Sequence, residues 1–470
     1  MRSAATGAAA RPGRPAGGAG VPDLAALARS LEGAGQVTEA GPGDVVDGVP
    51  AAVVARPTSI ASVSALVREA TGQGLVTVAR GGGTALDWGT PPERVDVLLD
   101  LTGLDRLVEH EAGDLVVVAE AGLALHDLQE RVGRAGQELV ADVPRERYEA
   151  GSTVGGALAT AASGPRRLQR LALRDLVLGA TVVLADGTVA TSGGKVVKNV
   201  AGYDVAKLMT GSFGTLGVVV RAAFRLHPVR PDRAYVVRTG PLAEVADLAR
   251  AVVASQLAPA AVELDRPAGS DEATLAVLLE GTGDAVGARA AEAAALVDGV
   301  LAEEPTWWGR LPEGDVCAKA TATLVGVKEL LRAARAAEQA YGAAVALRGS
   351  AVGVLHAGIS PAGGTAPGAD SGNASGVDSG TASGVDSGTA SGADSGTASG
   401  AAVVARVVTA LRAAAPSPRE GTVVVLRAPA GLRDGLDVWG PVGGLDLMRS
   451  IKERLDPGRN LAPGRFVGGI

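Results

Sequence analysis

Residues 80–84, Arg80-Gly81-Gly82-Gly83-Thr84, follow the apolar stretch Leu75-Val76-Thr77-Val78. Consecutive backbone N–H groups with no Cβ in the way can form a concave anion site, and the Thr84 hydroxyl adds a donor. Alone, such a run is equally a tight turn. Two more small-residue stretches end its isolation: GSTVGGALATAASGPRR over Gly151–Arg167, and Gly193–Val220, which closes in GSFGTLGVVV. Three separated backbone segments suit a large, extended ligand better than a small one, and a dinucleotide such as FAD has that shape. Lys198 could meet a ligand phosphate on charge grounds. The common phosphate loops do not fit. Gly194-Lys195 is followed by Val196, with Val189 where a Walker A loop needs its first glycine. Leu86 stands where a Rossmann fingerprint after Gly81 and Gly83 needs its third glycine.

Other chemistry is sparse. The lone Cys317, read in a helix-like run, excludes an intramolecular disulfide or a self-contained iron–sulfur site. His110, His126, His227 and His356 are too dispersed for a metal cluster, so no metal is expected. A net charge of −7 without a dense basic run argues against nucleic acid. No apolar run approaches the ~20 residues of a membrane span. Residues 1–20 lack a hydrophobic h-region and read as a disordered extension, so the expected compartment is the cytoplasm. Arg166 and Arg167 read as solvated surface arginines, with the alternative that a pair after small residues meets an anionic cofactor or substrate.

The elements around these motifs alternate at first. TSIASVSALVREATGQG predicts a helix with Thr58 as N-cap and Ile60, Val63 and Val67 on one face. LVTVA and VDVLLDL predict buried strands, and RLVEHEAGDLVVVAEAG two strands turning at Ala112-Gly113-Asp114. LALHDLQERVGRAG predicts an amphipathic helix with Leu125, Leu128 and Val132 inward. From about Ala234 the order of helices and strands predicts an α+β unit with helices on one face of an antiparallel sheet. It is interrupted by four octapeptides, GADSGNAS to GADSGTAS, from Gly368 to Ser399. Their small polar residues bury too little surface to offset ordering, which predicts a flexible linker. The division is residues 1–20, a domain over 21–230, a second over 231–430 with the insertion at 361–400, and a helix and tail over 431–470.

Taken together, RGGGT, TVGGALA and GSFGTLGVV resemble the FAD-binding domain of the p-cresol methylhydroxylase and vanillyl-alcohol oxidase type. Within that family, SGPRR, GGKVVKNVAGYDVAKLMTGSFGTLGVVV and LDPGRNLAPGRF are similar to the FAD-binding E subunits of bacterial three-subunit glycolate oxidases. The resemblance covers roughly Pro57 to Pro228 and the C-terminal tail, and is weak between Arg233 and Ala430. It implies an α+β fold: a two-subdomain FAD-binding domain, an antiparallel-sheet second domain, and a tail that returns to the first. It also implies cofactor contacts from Arg80, Gly81, Gly82, Gly83, Thr84, Thr153, Gly155, Gly156, Lys198, Gly214, Gly217 and Val218. FAD would be held non-covalently, since the loop has no histidine and Cys317 lies outside the domain. The implied activity is oxidation of a small 2-hydroxy acid such as glycolate, with a second FAD-binding subunit and an iron–sulfur subunit as partners. A free-standing dehydrogenase or oxidase of another hydroxy acid or alcohol, and a non-catalytic assembly subunit, remain alternatives. No catalytic residue is assigned, because His356 on an apolar strand reads as a core histidine.

Overall fold

The computed structural model describes residues 22–194, 204–362, 394–415 and 419–470, and three principal sheets organise them. In the first, the apolar run VDVLLD becomes strand Val95–Asp100, buried at five of its six residues. It pairs in parallel with Val49–Pro57 on one side and Thr77–Arg80 on the other. Helix Ile60–Gly72 packs Val63 and Val67 into the core. Its N-cap is Ser59 rather than Thr58. Ser59 and Ser62 exchange side-chain-to-backbone hydrogen bonds of 3.1 and 3.2 Å, a reciprocal cap that a position one residue earlier could not form.

The second sheet is antiparallel, in the order Val189–Gly193, Val177–Val183, Val218–Arg225, Val116–Glu120, Leu107–Glu111. Ala112–Asp114 makes the turn between its last two members. Helix Leu125–Gly133 buries Leu125, Leu128 and Val132 as expected.

Eight antiparallel strands form the third sheet. From one edge to the other they are Val300–Ala302, Asp232–Pro241, Glu272–Gly281, Ala261–Arg266, Ala344–Ser350, Val354–Ser360, Val316–Ala322 and Gly421–Arg427. Helices Leu242–Ala254, Asp284–Val297, Gly326–Tyr341 and Asp394–Ala413 cover one face. Because strand side chains alternate, Val316, Ala318 and Ala320 enter the helix-covered core while Cys317, Lys319 and Thr321 point the other way. Leu355, Ala357 and Ile359 likewise turn inward, leaving His356 on the outer face. The α+β expectation holds.

Cys317 lies in a strand, not a helix. Its Ala-Lys-Ala-Thr-Ala surroundings favour helix locally, but pairing with strands on both sides decides the conformation. Its thiol is sealed under Trp88 and Leu426, and burial pushes it up to about 12. Helix Asp394–Ala413 takes in the end of the last octapeptide. Lys198, the extension over 1–20 and the remaining repeats lie outside the described residues.

Helix Leu445–Leu455 leads into the tail, which runs back to the first sheet. Thr77 donates its N–H to the Asn460 carbonyl at 2.7 Å and accepts from Ala462 N–H at 3.0 Å.

Candidate active site

Gly81 and Gly82 are pressed against the second small-residue stretch. A Cβ on Gly82 would lie 2.0 Å from the carbonyl oxygen of Gly151, and one on Gly81 would lie 2.1 Å from Thr153 Oγ1. The sequence places the need for bare backbone on the ligand side, whereas the structure shows it where two protein loops touch. Gly83 takes φ +73, which glycine adopts without strain. Thr84 Oγ1 meets Ser152 Oγ at 2.8 Å, a second tie between the loops. The N–H groups of Gly82, Gly83 and Thr84 bond to no other described residue, so they are available to an anion.

A cavity of about 80 Å³ opens on this loop. Arg80, Gly81, Gly82, Gly83, Thr84, Thr153, Gly156 and Gly214 line it, as do three residues the motifs did not single out: Thr160, Phe213 and Arg465. Arg80 is committed to Asp44 at 2.7 Å and Asp100 at 2.9 Å, so it braces the loop. Arg465 donates to the carbonyls of Leu86 (2.9 Å) and Trp88 (2.7 Å), and burial lowers its pKa to about 10. Gly155, Gly217 and Val218 do not line this cavity. A Cβ on Gly155 would come 2.7 Å from that of Ala121, so this glycine serves helix packing; Val218 is 1% exposed in the core between sheets.

Thr160 and Phe213 also line a second cavity of about 240 Å³, so the two spaces adjoin across a shared wall. Its far wall is the outer face of the eight-stranded sheet. There Arg348, His356, Lys319 and Val424 form a row across four adjacent strands. Arg348 is neutralised by Asp265 at 2.7 Å. Lys319 has no such partner among the described residues. Burial, and then the like charge of Arg167, lower its ammonium to about 8. Burial, then Lys319 and two arginines, lower His356 to about 3, so its imidazole is neutral at neutral pH. Among the described residues no Asp or Glu lines this cavity, and Thr160, Thr321 and Thr422 add hydroxyls.

Arg166 is not a solvated surface residue. It is partly buried between Glu138 and Asp142, each at 2.7 Å. Burial alone would lower its pKa, but Asp142 and Glu138 outweigh that and raise it. The preceding small residues hide this, because both acids lie more than twenty positions upstream. Arg167 is partly buried and donates to Ser163.

Residues 50–193 match the model of the FAD binding domain family. This part of the chain is an FAD-binding domain. Among curated proteins, the chain is 34% identical over 211 residues to a D-lactate dehydrogenase of Archaeoglobus fulgidus, covering 45% of this chain and 46% of that one. It is 37% identical over 132 residues to glycolate oxidase subunit GlcE of Escherichia coli, covering 28% of this chain and 37% of that one. Each match thus spans less than half of the relative's length. In fold, the chain is similar to a xylooligosaccharide oxidase from Myceliophthora thermophila, with TM-score 0.61 and 14% identity over 93% of this chain and 97% of the other.

The residues present fit FAD. Free N–H groups on the glycine loop suit the pyrophosphate of the FAD-binding domain's ligand, and the adjoining cavity beyond Thr160 and Phe213 is walled by the sheet. The signal for Arg465 was present in the tail motif PGRF; Lys319 had none, since only strand pairing brings it beside His356.

Proposed function

We propose that the chain is an FAD-dependent oxidoreductase that oxidises a small 2-hydroxy acid, glycolate or a near homologue. The observation that carries this reading is the Lys319 ammonium, without an acidic partner among the described residues, in a cavity that adjoins the flavin cradle at Thr160 and Phe213. A buried cation without a counter-ion favours an anionic ligand, and a carboxylate completes the pair. Bound flavin supplies the hydride acceptor. Lys319 fixes the carboxylate end, the threonine hydroxyls supply polar contacts, and the neutral His356 ring accepts a hydrogen bond from the substrate hydroxyl.

FAD is held non-covalently, and the chain works as one subunit of a glycolate-oxidase-type complex. A second FAD-binding subunit and an iron–sulfur subunit accompany it, the latter because electrons need an outlet that one buried cysteine cannot build. Similarity to a protein named as a glycolate oxidase subunit supports this arrangement. Among the described residues no helix is long and apolar enough to cross a membrane.

One observation favours a second reading, a flavin-binding assembly subunit without turnover: His356 is too weak a base to hold the hydroxyl proton. Anaerobic mixing of purified protein with glycolate separates the two. Bleaching of the flavin absorbance, lost in Lys319→Met, supports the oxidoreductase; unchanged absorbance, alone and with partner subunits, supports the assembly role.

A further inference from the structure

Three aromatic side chains wall the cavity beside Lys319, and they are supported differently. Trp88 is built into the fold: it is 6% exposed, Arg147 covers its ring at 3.5 Å, and Arg465 holds its carbonyl. Phe213 belongs to the turn that lines the flavin cradle and sits at φ +56. Trp439 instead rides on the loop over residues 434–444, between helices Ala430–Arg433 and Leu445–Leu455.

That loop is fastened at its stem and free of regular structure at its tip. Arg412 donates to the Asp437 carbonyl at 2.7 Å, and Val425 N–H to that of Val438 at 2.8 Å. The Asp437 carboxylate caps the N–H groups of Trp439 and Gly440 at 3.2 and 3.0 Å. The chain reverses at Gly440, φ +70, where a Cβ would press within 2.9 Å of the Arg412 guanidinium. From this stem the indole reaches to the FAD-binding domain. Its Nε1 donates to Thr90 Oγ1 at 2.9 Å, and its ring meets Phe466 and Phe213 edge-on at 4.9 and 6.0 Å.

The position of the indole relative to Lys319 follows from strand order. Lys319 pairs with Val424 on the outermost strand, Gly421–Arg427, and the Trp439 loop is bonded to that strand through Val425. Val424, Leu426 and Trp439 line the same cavity as Lys319, so a ligand whose carboxylate sat on Lys319 would have them as the walls for its remaining carbons. Hydrophobic pockets discriminate by size at about 1–3 kcal/mol per methylene, so one fixed indole at the end of a short slot sets a length limit. We infer that Trp439 is the specificity-determining wall of this cavity, restricting it to short-chain carboxylates. The inference rests on the carboxylate reading of Lys319 proposed above.

The test uses unreactive straight-chain carboxylates (acetate, butanoate, hexanoate and octanoate), titrated calorimetrically into the purified full chain, so that no turnover is needed. The natural chain is expected to bind the short acids and to lose at least tenfold in affinity by hexanoate. Trp439→Ala, and the milder Trp439→Leu should the first not fold, move the optimum to hexanoate or octanoate by tenfold or more relative to acetate. Lys319→Met separates the two ideas: loss of binding at every length upholds the carboxylate reading. If binding depends on Lys319 but the order of chain lengths is the same in the natural chain and a folded Trp439 variant, the wall is elsewhere and the inference fails alone. If carboxylates do not bind, or bind equally well to Lys319→Met, it falls together with the reading beneath it.

Discussion

Lys452 Nζ lies 2.6 Å from Asp456 Oδ2 and also donates to the carbonyls of Thr215 (2.7 Å) and Leu461 (2.8 Å). Asp456 in turn accepts from Asn460 N–H at 2.9 Å and Leu461 N–H at 2.8 Å. Both side chains are almost fully buried. The pair therefore fastens the tail, the helix before it and the turn near Gly214 into one unit. Removing one member leaves the other as an uncompensated buried charge, which costs about 3–5 kcal/mol. Asp456→Ala is expected to lower stability by that amount in chemical denaturation and to release FAD at lower denaturant than bulk unfolding. The double change to Lys452→Met with Asp456→Leu should recover much of the loss.

Gly82→Val should weaken FAD retention through the protein rather than through the ligand. The added Cβ meets the Gly151 carbonyl, so the two loops must part, at roughly 1–3 kcal/mol for overpacking. The expected result is a lower melting temperature in flavin-free protein as well as reduced flavin content. Reduced flavin content with an unchanged apoprotein melting temperature would instead place the clash on the ligand side.

Lys319 should act in opposite directions on stability and on binding. Burial lowers its folded pKa from 10.5 to about 8, so the folded state holds this proton less tightly than the unfolded chain. The penalty is full below pH 8 and fades as pH rises towards 10.5. Lys319→Met should therefore stabilise the flavin-free protein at pH 7, by up to about 3 kcal/mol, with the gap closing between pH 8 and 10. Carboxylate affinity follows the opposite sign: it is full below about pH 8 and falls about tenfold per unit above it, a dependence absent from the variant. Paired melting and titration series at pH 7 to 10 check both.

Shortening residues 368–391 to a few Gly/Ser residues, stopping before helix Asp394–Ala413, should leave flavin content and melting temperature nearly unchanged. Loop closure changes by only about 0.6 kcal/mol per doubling of length. A loss of soluble protein would show that the repeats carry packing contacts.

Local signals were enough for much of this architecture. The amphipathic spacing of Leu125, Leu128 and Val132 and the buried run at Val95–Asp100 depend on near neighbours in sequence, and both lie as expected. The errors came where distant residues decide. Arg166 finds its acids on another segment, and Cys317 is drawn into a strand by pairing on both sides. Lys319 shows the limit most sharply. Flanked by two alanines, it carries no local signal, and only the pairing of its strand sets it beside His356 in the cavity next to the flavin cradle.

The contact between Arg465 and Leu86 spans 379 positions of the chain. A ribosome adding about 5–20 residues per second needs roughly 20 to 80 s to cover that interval. Throughout that time the nascent glycine loop has no tail strand beside Thr77 and no arginine beneath Leu86. The cavity wall that includes Arg465 is therefore complete only after that residue is synthesised, long after the segment that carries the glycines.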